Sequence, residues 1–378
     1  MNLAPEQILM RDTARAFARD RLLPNAQAWD RDGATPLEIY AELGDLGLLG
    51  MLAPEQWGGS DVGALSFALV MEEIAAGDGG ISTMMSVHNG VATLPIVQYG
   101  SEDQKQRFLH DMTSGKLIAA FALTEAQAGS DAAAIKCRAV RDGNGYVLNG
   151  SKLFITSGNI AGVVIVFAVT DPDAGKKGIS AFIVPTDTPG FSTGKPEQKL
   201  GQRGQQTVAL NFDDMHLSGD LLLGDEGAGY KIALANLEGG RISIGAQSVG
   251  MARAAFEAAR DYARERKTFG KAIADHQAVA FRLADMATAI EAARLMTLNA
   301  ARLRDAGKPC LKEASMTKVL ASEMAEKVCS DAIQIHGGYG YLEDFPVERI
   351  YRDVRVCQIY EGTNDIQRLL ISRAIMED

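Results

Sequence analysis

Residues 163–184 read VVIVFAVTDPDAGKKGISAFIV, two short runs of β-branched and aromatic residues divided by the turn signal Asp171-Pro172. Runs of the same texture recur at Tyr146 to Leu148, Leu153 to Thr156 and Val208 to Phe212. Asp142-Gly143-Asn144-Gly145 and Thr188-Pro189-Gly190 punctuate them as further turns. The simplest reading is a small β domain that begins near Leu117.

Both flanks are helical in texture. Ile8 to Leu23 and Ser66 to Ala76 are alanine-rich amphipathic stretches, broken at Pro24, Gly33, Pro54 to Gly59 and Gly77 to Gly80. Past the glycine-rich join Gly224 to Gly229, one helical face is marked by Ile242, Ala246, Val249, Ala252, Ala255 and Ala259. The next is marked by Val279, Leu283, Met286, Ile290, Leu295 and Leu298. Ala314 to Ile335 and Ile366 to Ile375 supply two more helices. The expected units are a helical domain at 1–117, a β domain at 118–225 and a helical domain at 226–378, an α+β chain without internal repeats. Long helices with small-residue faces are suited to packing on copies of themselves.

The 378 residues carry 38 Lys+Arg against 48 Asp+Glu, a net charge of −10, and 47% are hydrophobic. The acidic residues are dispersed, which argues against a nucleic-acid partner or an anionic membrane surface. Cys137, Cys310, Cys329 and Cys357 lie far apart with no CxxC pair, and no two histidines have HExxH spacing. Neither a zinc site nor a disulfide framework is expected. Residues 1–30 hold no apolar leader and no later run reaches membrane-span length, so a cytoplasmic protein is expected.

No GxGxxG follows a strand and no GxxxxGK[ST] occurs, so any nucleotide cofactor is held in another way. Thr124 to Asp131, TEAQAGSD, is a polar small-residue loop whose amides and hydroxyls suit an isoalloxazine ring or pyrophosphate, though alone it reads as a plain loop. In KLFITSG, Lys152 to Gly158, alternation sends Phe154 and Thr156 to one face. There a ring and a hydroxyl can meet a flavin; the bland reading is a half-buried strand. His336-Gly337-Gly338-Tyr339-Gly340 is either a helix C-cap or a place where pyrophosphate approaches bare backbone. Glu361 is either a carboxylate suited to a helix N-terminus, with Asn364 and Gln367 spaced as a capping pair, or a general base whose pKa is raised in an apolar cavity. Periodicity does not choose between them. His110, His216 and His276 read as surface or loop residues, while His88 and His336 lie near glycine-rich segments.

Taken together and in order, PEQWGGS at Pro54, FALTEAQAGSD at Phe121, KLFITSG at Lys152, ERKTFGKAIADHQ at Glu265, QIHGGYGY at Gln334 and IYEGTNDIQR at Ile359 resemble the acyl-CoA dehydrogenase family over essentially the whole chain. The resemblance implies an N-terminal all-α domain, a middle β-barrel or sandwich domain and a C-terminal four-helix bundle, assembled as a homotetramer with FAD at the interfaces. It implies Glu361 as the base that removes the α-proton of an acyl-CoA while the flavin takes a hydride from the β-carbon. Members that place the base elsewhere carry Glu just before the arginine matching Arg241; here that position is Gly240.

By the same resemblance, Phe121, Leu123, Thr124, Gly129, Ser130, Phe154, Thr156 and Ser157 surround the flavin, with Ser130 also facing the CoA end. Phe154 stands where many members have tryptophan. Arg266, Thr268, Phe269 and Gln277, with Gln334, Gly337 and Gly338, are implied to reach the pyrophosphate and adenosine of FAD in a neighbouring subunit. Thr363, Asn364 and Gln367 complete the cofactor pocket on the base side, and Tyr360, Gly362 and Arg241 join Ser130 against substrate. The resemblance also implies that the thioester oxygen accepts from a ribityl hydroxyl of FAD and from the base's own N–H. The implied electron acceptor is an electron-transferring flavoprotein. Ser86 to Asn89 and Gly239 to Ile242 look most like short-chain and branched short-chain members. The competing readings are an acyl-CoA oxidase, whose long C-terminal extension is missing here, and a non-catalytic helical scaffold.

Overall fold

The computed structural model describes residues 2–377. The chain opens with α1 (Pro5–Phe17), α2 (Ala26–Asp32), α3 (Leu37–Asp45), α4 (Gly63–Gly77), α5 (Gly79–Ser86), α6 (Leu94–Tyr99) and α7 (Glu102–Thr113). Asp78 starts α5, its side chain accepting the Ile81 N–H at 2.8 Å. Between α5 and α6 the backbone widens into a π-helical segment, Val87–Thr93. Within it His88 is fully buried. The Ala119 N–H donates to its Nδ1 (3.1 Å), so Nε2 carries the proton and donates to the Met112 carbonyl (3.0 Å). Burial pushes the ring down to about 4. This neutral histidine ties the N-terminal helices to the first strand.

The middle region comprises β1 (Ala119–Ala122), β2 (Arg138–Asp142), β3 (Gly145–Thr156), β4 (Val163–Val169), β5 (Ile179–Pro185), β6 (Phe191–Thr193), β7 (Thr207–Ser218) and β8 (Leu222–Leu223). Their order is β6-β7-β3-β2-β4-β5-β8, with β1 parallel to β4. A single residue pair, Arg138 with Val169, joins β2 to β4. The sheet therefore divides into two layers, and Tyr146 of β3 meets Phe182 of β5 across them with ring centroids 5.0 Å apart. Residues 163–184 supply β4 and β5, antiparallel from Val163 opposite Pro185 to Val169 opposite Ile179. Both are buried along nearly their whole length, which is why their sequence is continuously apolar instead of alternating.

The last region holds α8 (Gly229–Glu265), the hairpin β9 (Lys267–Thr268) and β10 (Lys271–Ala272), then α9 (Gln277–Asp305), α10 (Leu311–His336), α11 (Pro346–Val354) and α12 (Asn364–Glu377). The expected face of α8 is buried throughout. On α9, Met286, Ile290 and Leu298 are buried but Leu295 is 47% exposed. Five residues beyond Ile290, it is rotated by about 140° from that row, and Ala293 and Thr297 fill the face instead. Helix α8 also packs on α4, where a Cβ on Gly250 would lie 2.1 Å from the Glu72 carbonyl oxygen. Among the described residues, no helix is long and apolar enough to cross a membrane.

Candidate active site

A cavity of about 1000 Å³ lies between the β layers and the C-terminal helices. Phe121, Leu123, Thr124, Gly129, Ser130, Phe154 and Thr156 line one side; Arg241, Tyr360, Glu361 and Gly362 line the other. The fold thus brings together motifs more than two hundred residues apart.

The β side is braced by a buried ion pair. Lys152, fully enclosed, donates to the Leu123 carbonyl (3.0 Å) and to the Glu125 carboxylate (2.7 Å). Glu125 also accepts the N–H groups of Lys136 (2.6 Å) and Cys137 (3.0 Å). Burial works against its charge, but Lys152 and these amides outweigh it and hold the carboxyl below the usual range. The Leu153 N–H donates to the Thr124 carbonyl at 2.9 Å, so the TEAQAGSD loop is fixed to the KLFITSG strand. Phe154 sits at φ 59°, where the pairing of β3 with β7 slips between Lys152 and Ile155. Simple alternation does not place this ring: the bulge turns it outward, leaving it 64% exposed along the cavity wall.

Opposite, Glu361 and Gly362 take two consecutive left-handed conformations, φ 55° and 85°. For a residue with a side chain this costs about 1 kcal/mol, so the surroundings must hold it. Gln367 Nε2 donates to the carbonyls of Glu361 (3.2 Å) and Gly362 (2.9 Å). Lys318 Nζ donates to the Gly362 carbonyl (3.0 Å) and to Asn364 Oδ1 (2.8 Å). Tyr360 is anchored from behind, its hydroxyl donating to Gln247 Oε1 at 2.5 Å.

Glu361 opens partly onto the cavity, yet its Oε2 is buried and has no hydrogen-bond partner among the described residues. Burial pushes its carboxyl up to about 7, against the pull of Arg241 and Lys318. Arg241 is itself buried, with Nε and Nη1 both unpartnered. Space for the carboxylate comes from Gly240, where a Cβ would stand 2.7 Å from Oε2. A desolvated carboxylate balanced near neutrality can take a proton from a weak carbon acid and return it.

Several other residues singled out in the sequence stand elsewhere. Ser157 is buried, its N–H donating to the Gln206 carbonyl (2.9 Å). The Thr363 hydroxyl accepts the Ile366 N–H at 3.4 Å, and the buried Asn364 and Gln367 hold the base segment from behind. None of these four lines the cavity. Nor do Arg266, Thr268, Phe269, Gln277, Gln334, Gly337 and Gly338. Arg266 lies over the Tyr339 ring, 5.7 Å from its centroid, and the Thr268 hydroxyl is 3.2 Å from His276 Nε2. Phe269 is 96% exposed, and Gln277, Gln334, Gly337 and Gly338 are exposed as well. Of Ser86 to Asn89, only Ser86 and Val87 reach the cavity.

Sequence reasoning missed Lys318, Gln247 and the Lys152–Glu125 brace, and also the exposed cations Lys176, Lys231 and Arg373 on the cavity lining. No local pattern distinguishes these lysines from solvated ones. A flavin fits the residues present. The cavity is much larger than an acyl chain needs, it offers the exposed Phe154 ring beside the hydroxyls of Thr124, Ser130 and Thr156, and it ends at an unpartnered carboxylate. A second cavity of about 900 Å³, between α1, α4, α8 and α9, carries charges that are already paired. Arg294 meets Glu72 at 2.7 Å, and Arg15 and Arg253 meet Glu73 at 2.8 and 2.6 Å.

Three domain models match the chain: acyl-CoA dehydrogenase N-terminal domain over residues 4–116, middle domain over 120–215 and C-terminal domain over 227–376. An acyl-CoA dehydrogenase of Bacillus subtilis (strain 168) is 47% identical over 376 residues, spanning 100% of this chain and 99% of that one. The structure of butyryl-CoA dehydrogenase from Megasphaera elsdenii superposes with a TM-score of 0.97 at 41% identity, covering 100% of this chain and 99% of the other. A chain from a structural study of the electron transferring flavoprotein of Acidaminococcus fermentans superposes with a TM-score of 0.98 at 42% identity, over 100% of both chains.

Proposed function

The chain belongs to the acyl-CoA dehydrogenase family, FAD-dependent oxidoreductases that act on the CH–CH group of acyl-CoA, and from that premise we propose that Glu361 is its catalytic base and that its substrate is a short or short-branched acyl-CoA. The single observation that carries the assignment of the base is the buried, unpartnered Oε2 of a carboxyl raised to about 7, facing a cavity large enough for substrate and cofactor.

The chain's own groups divide the work. Glu361 removes the α-proton, and its backbone N–H, which has no backbone acceptor, is free to meet the thioester oxygen where negative charge develops. A Cβ on Gly362 would stand 2.6 Å from Gln367 Nε2, so the glycine lets Gln367 reach both carbonyls, and this support keeps the carboxylate aimed at one carbon. Phe154 and Thr156 border the space for the flavin ring, with Thr124 and Ser130 beside them. Bound FAD would supply the two-electron oxidation at the β-carbon, giving the trans-2-enoyl thioester. Lys176, Lys231 and Arg373 are exposed cations on this lining, suited to the phosphates of CoA in a chain of net charge −10.

The short-chain reading is supported by the likeness to a butyryl-CoA dehydrogenase, and an electron-transferring flavoprotein as acceptor by the matching chain from the Acidaminococcus study. The exposed group around Arg266, Phe269, Gly337 and Gly338 supports a homotetramer in which these residues meet FAD held mainly by a neighbouring subunit. Flavin bleaching by the purified yellow protein, measured across acyl-CoAs of increasing length and branching, should be fastest at four or five carbons, on the order of the family's short substrates. A maximum at long chains would overturn the substrate class, and peroxide formation in air would reassign the acceptor to oxygen.

A further inference from the structure

Lys318 is fully buried on α10, and among the described residues no carboxylate meets it within salt-bridge distance. Isolated ammonium groups are rarely enclosed in this way, because burial without a counter-charge is costly. Its two acceptors are the Gly362 carbonyl, one residue past Glu361, and Asn364 Oδ1, two residues further on. Asn364 is held in turn by Ser322 (3.0 Å) and Glu323 (3.2 Å). The left-handed pair Glu361-Gly362 is thus fastened to α10 by a charged donor where a neutral one would have satisfied the same carbonyl.

The charged groups facing Glu361 are Arg241 from α8 and Lys318 from α10. Burial pulls the Lys318 ammonium down to about 8; Cys357, Glu361 and Glu323 face it and favour its charge, while Arg241 opposes it. Burial raises the Glu361 carboxyl, and these two cations oppose it. Arg241 has no hydrogen bond to fix it, whereas Lys318 is held in place. We propose that Lys318 is the positioning residue of the active site, clamping the backbone after Glu361 and setting beside it a positive charge that keeps this carboxylate available as a base in neutral and acidic solution.

This rests on Glu361 being the base, and the two ideas fail differently: the base assignment falls if Glu361→Gln turns over, the Lys318 inference only if its own pH signature is missing. Lys318→Gln keeps a donor for the Gly362 carbonyl and removes the charge. Asn364→Asp leaves Lys318 in place and neutralises it with an isosteric partner at the 2.8 Å contact. Both are purified as yellow holoenzymes and assayed with butyryl-CoA from pH 5.5 to 9.5. The acid limb of kcat/KM should move up by about one pH unit, lowering activity about tenfold at pH 6 and leaving it nearly unchanged at pH 9. An unmoved acid limb in either soluble variant, whether activity is kept or lost evenly across pH, would overturn the inference.

Discussion

Gly240 and Glu361 share one space: a Cβ on the glycine would lie 2.7 Å from the carboxylate Oε2. The intruded atom is the end of a flexible side chain and not backbone, so Gly240→Ala should fold normally while displacing the carboxylate. A misplacement of about 1 Å is enough to cost on the order of 100-fold in rate. Steady-state kinetics should show that fall in kcat with flavin content unchanged, and unaltered kcat would remove the contact from the account.

The titration of Glu361 also bears on stability. Its folded carboxyl lies at about 7 against 4.5 for the free group. Its contribution to stability is therefore complete below pH 4.5 and is lost as pH rises through 7. Glu361→Gln should accordingly leave stability at pH 5 nearly unchanged and add roughly 3 kcal/mol at pH 8.5. Denaturant unfolding at the two pH values checks this; an equal change at both would show that the carboxyl is not raised.

Lys152→Met removes the cation from the buried Glu125 and should destabilise the protein by about 3 kcal/mol. Because Lys152 also holds the Leu123 carbonyl, flavin retention on gel filtration should fall with it. Loss of stability with full flavin retention would separate the brace from the cofactor loop.

Arg266→Ala should lower the flavin-to-protein absorbance ratio and weaken subunit assembly while leaving Glu361 and its cavity intact, since Arg266 touches neither. Unchanged flavin content would take Arg266 off the cofactor surface.

The helix–strand–helix order was legible because each element announces itself locally: the apolar runs that became β4 and β5 are buried on both faces, and the alanine row of α8 packs as its spacing says. Thr124, Ser130, Thr156 and Glu361 were legible as motif residues, but the surroundings that suit Glu361 to its proposed role as base were not. The space beside it is a glycine 121 positions earlier in the chain, and its clamp is a lysine on another helix. In sequence Lys318 is a charged residue among Thr317 and Val319, indistinguishable from a solvated one; it is buried only because the segment leading into α12 folds back over α10. Leu295 shows the converse, an apolar residue read into a face from which helical geometry rotates it.

The central claim is that Glu361 removes the α-proton. Glu361→Gln, purified as a yellow flavoprotein and mixed anaerobically with butyryl-CoA, should bind the thioester yet leave the flavin absorbance unbleached, with turnover reduced by at least about 10³-fold. Bleaching and turnover at wild-type rates would contradict the account.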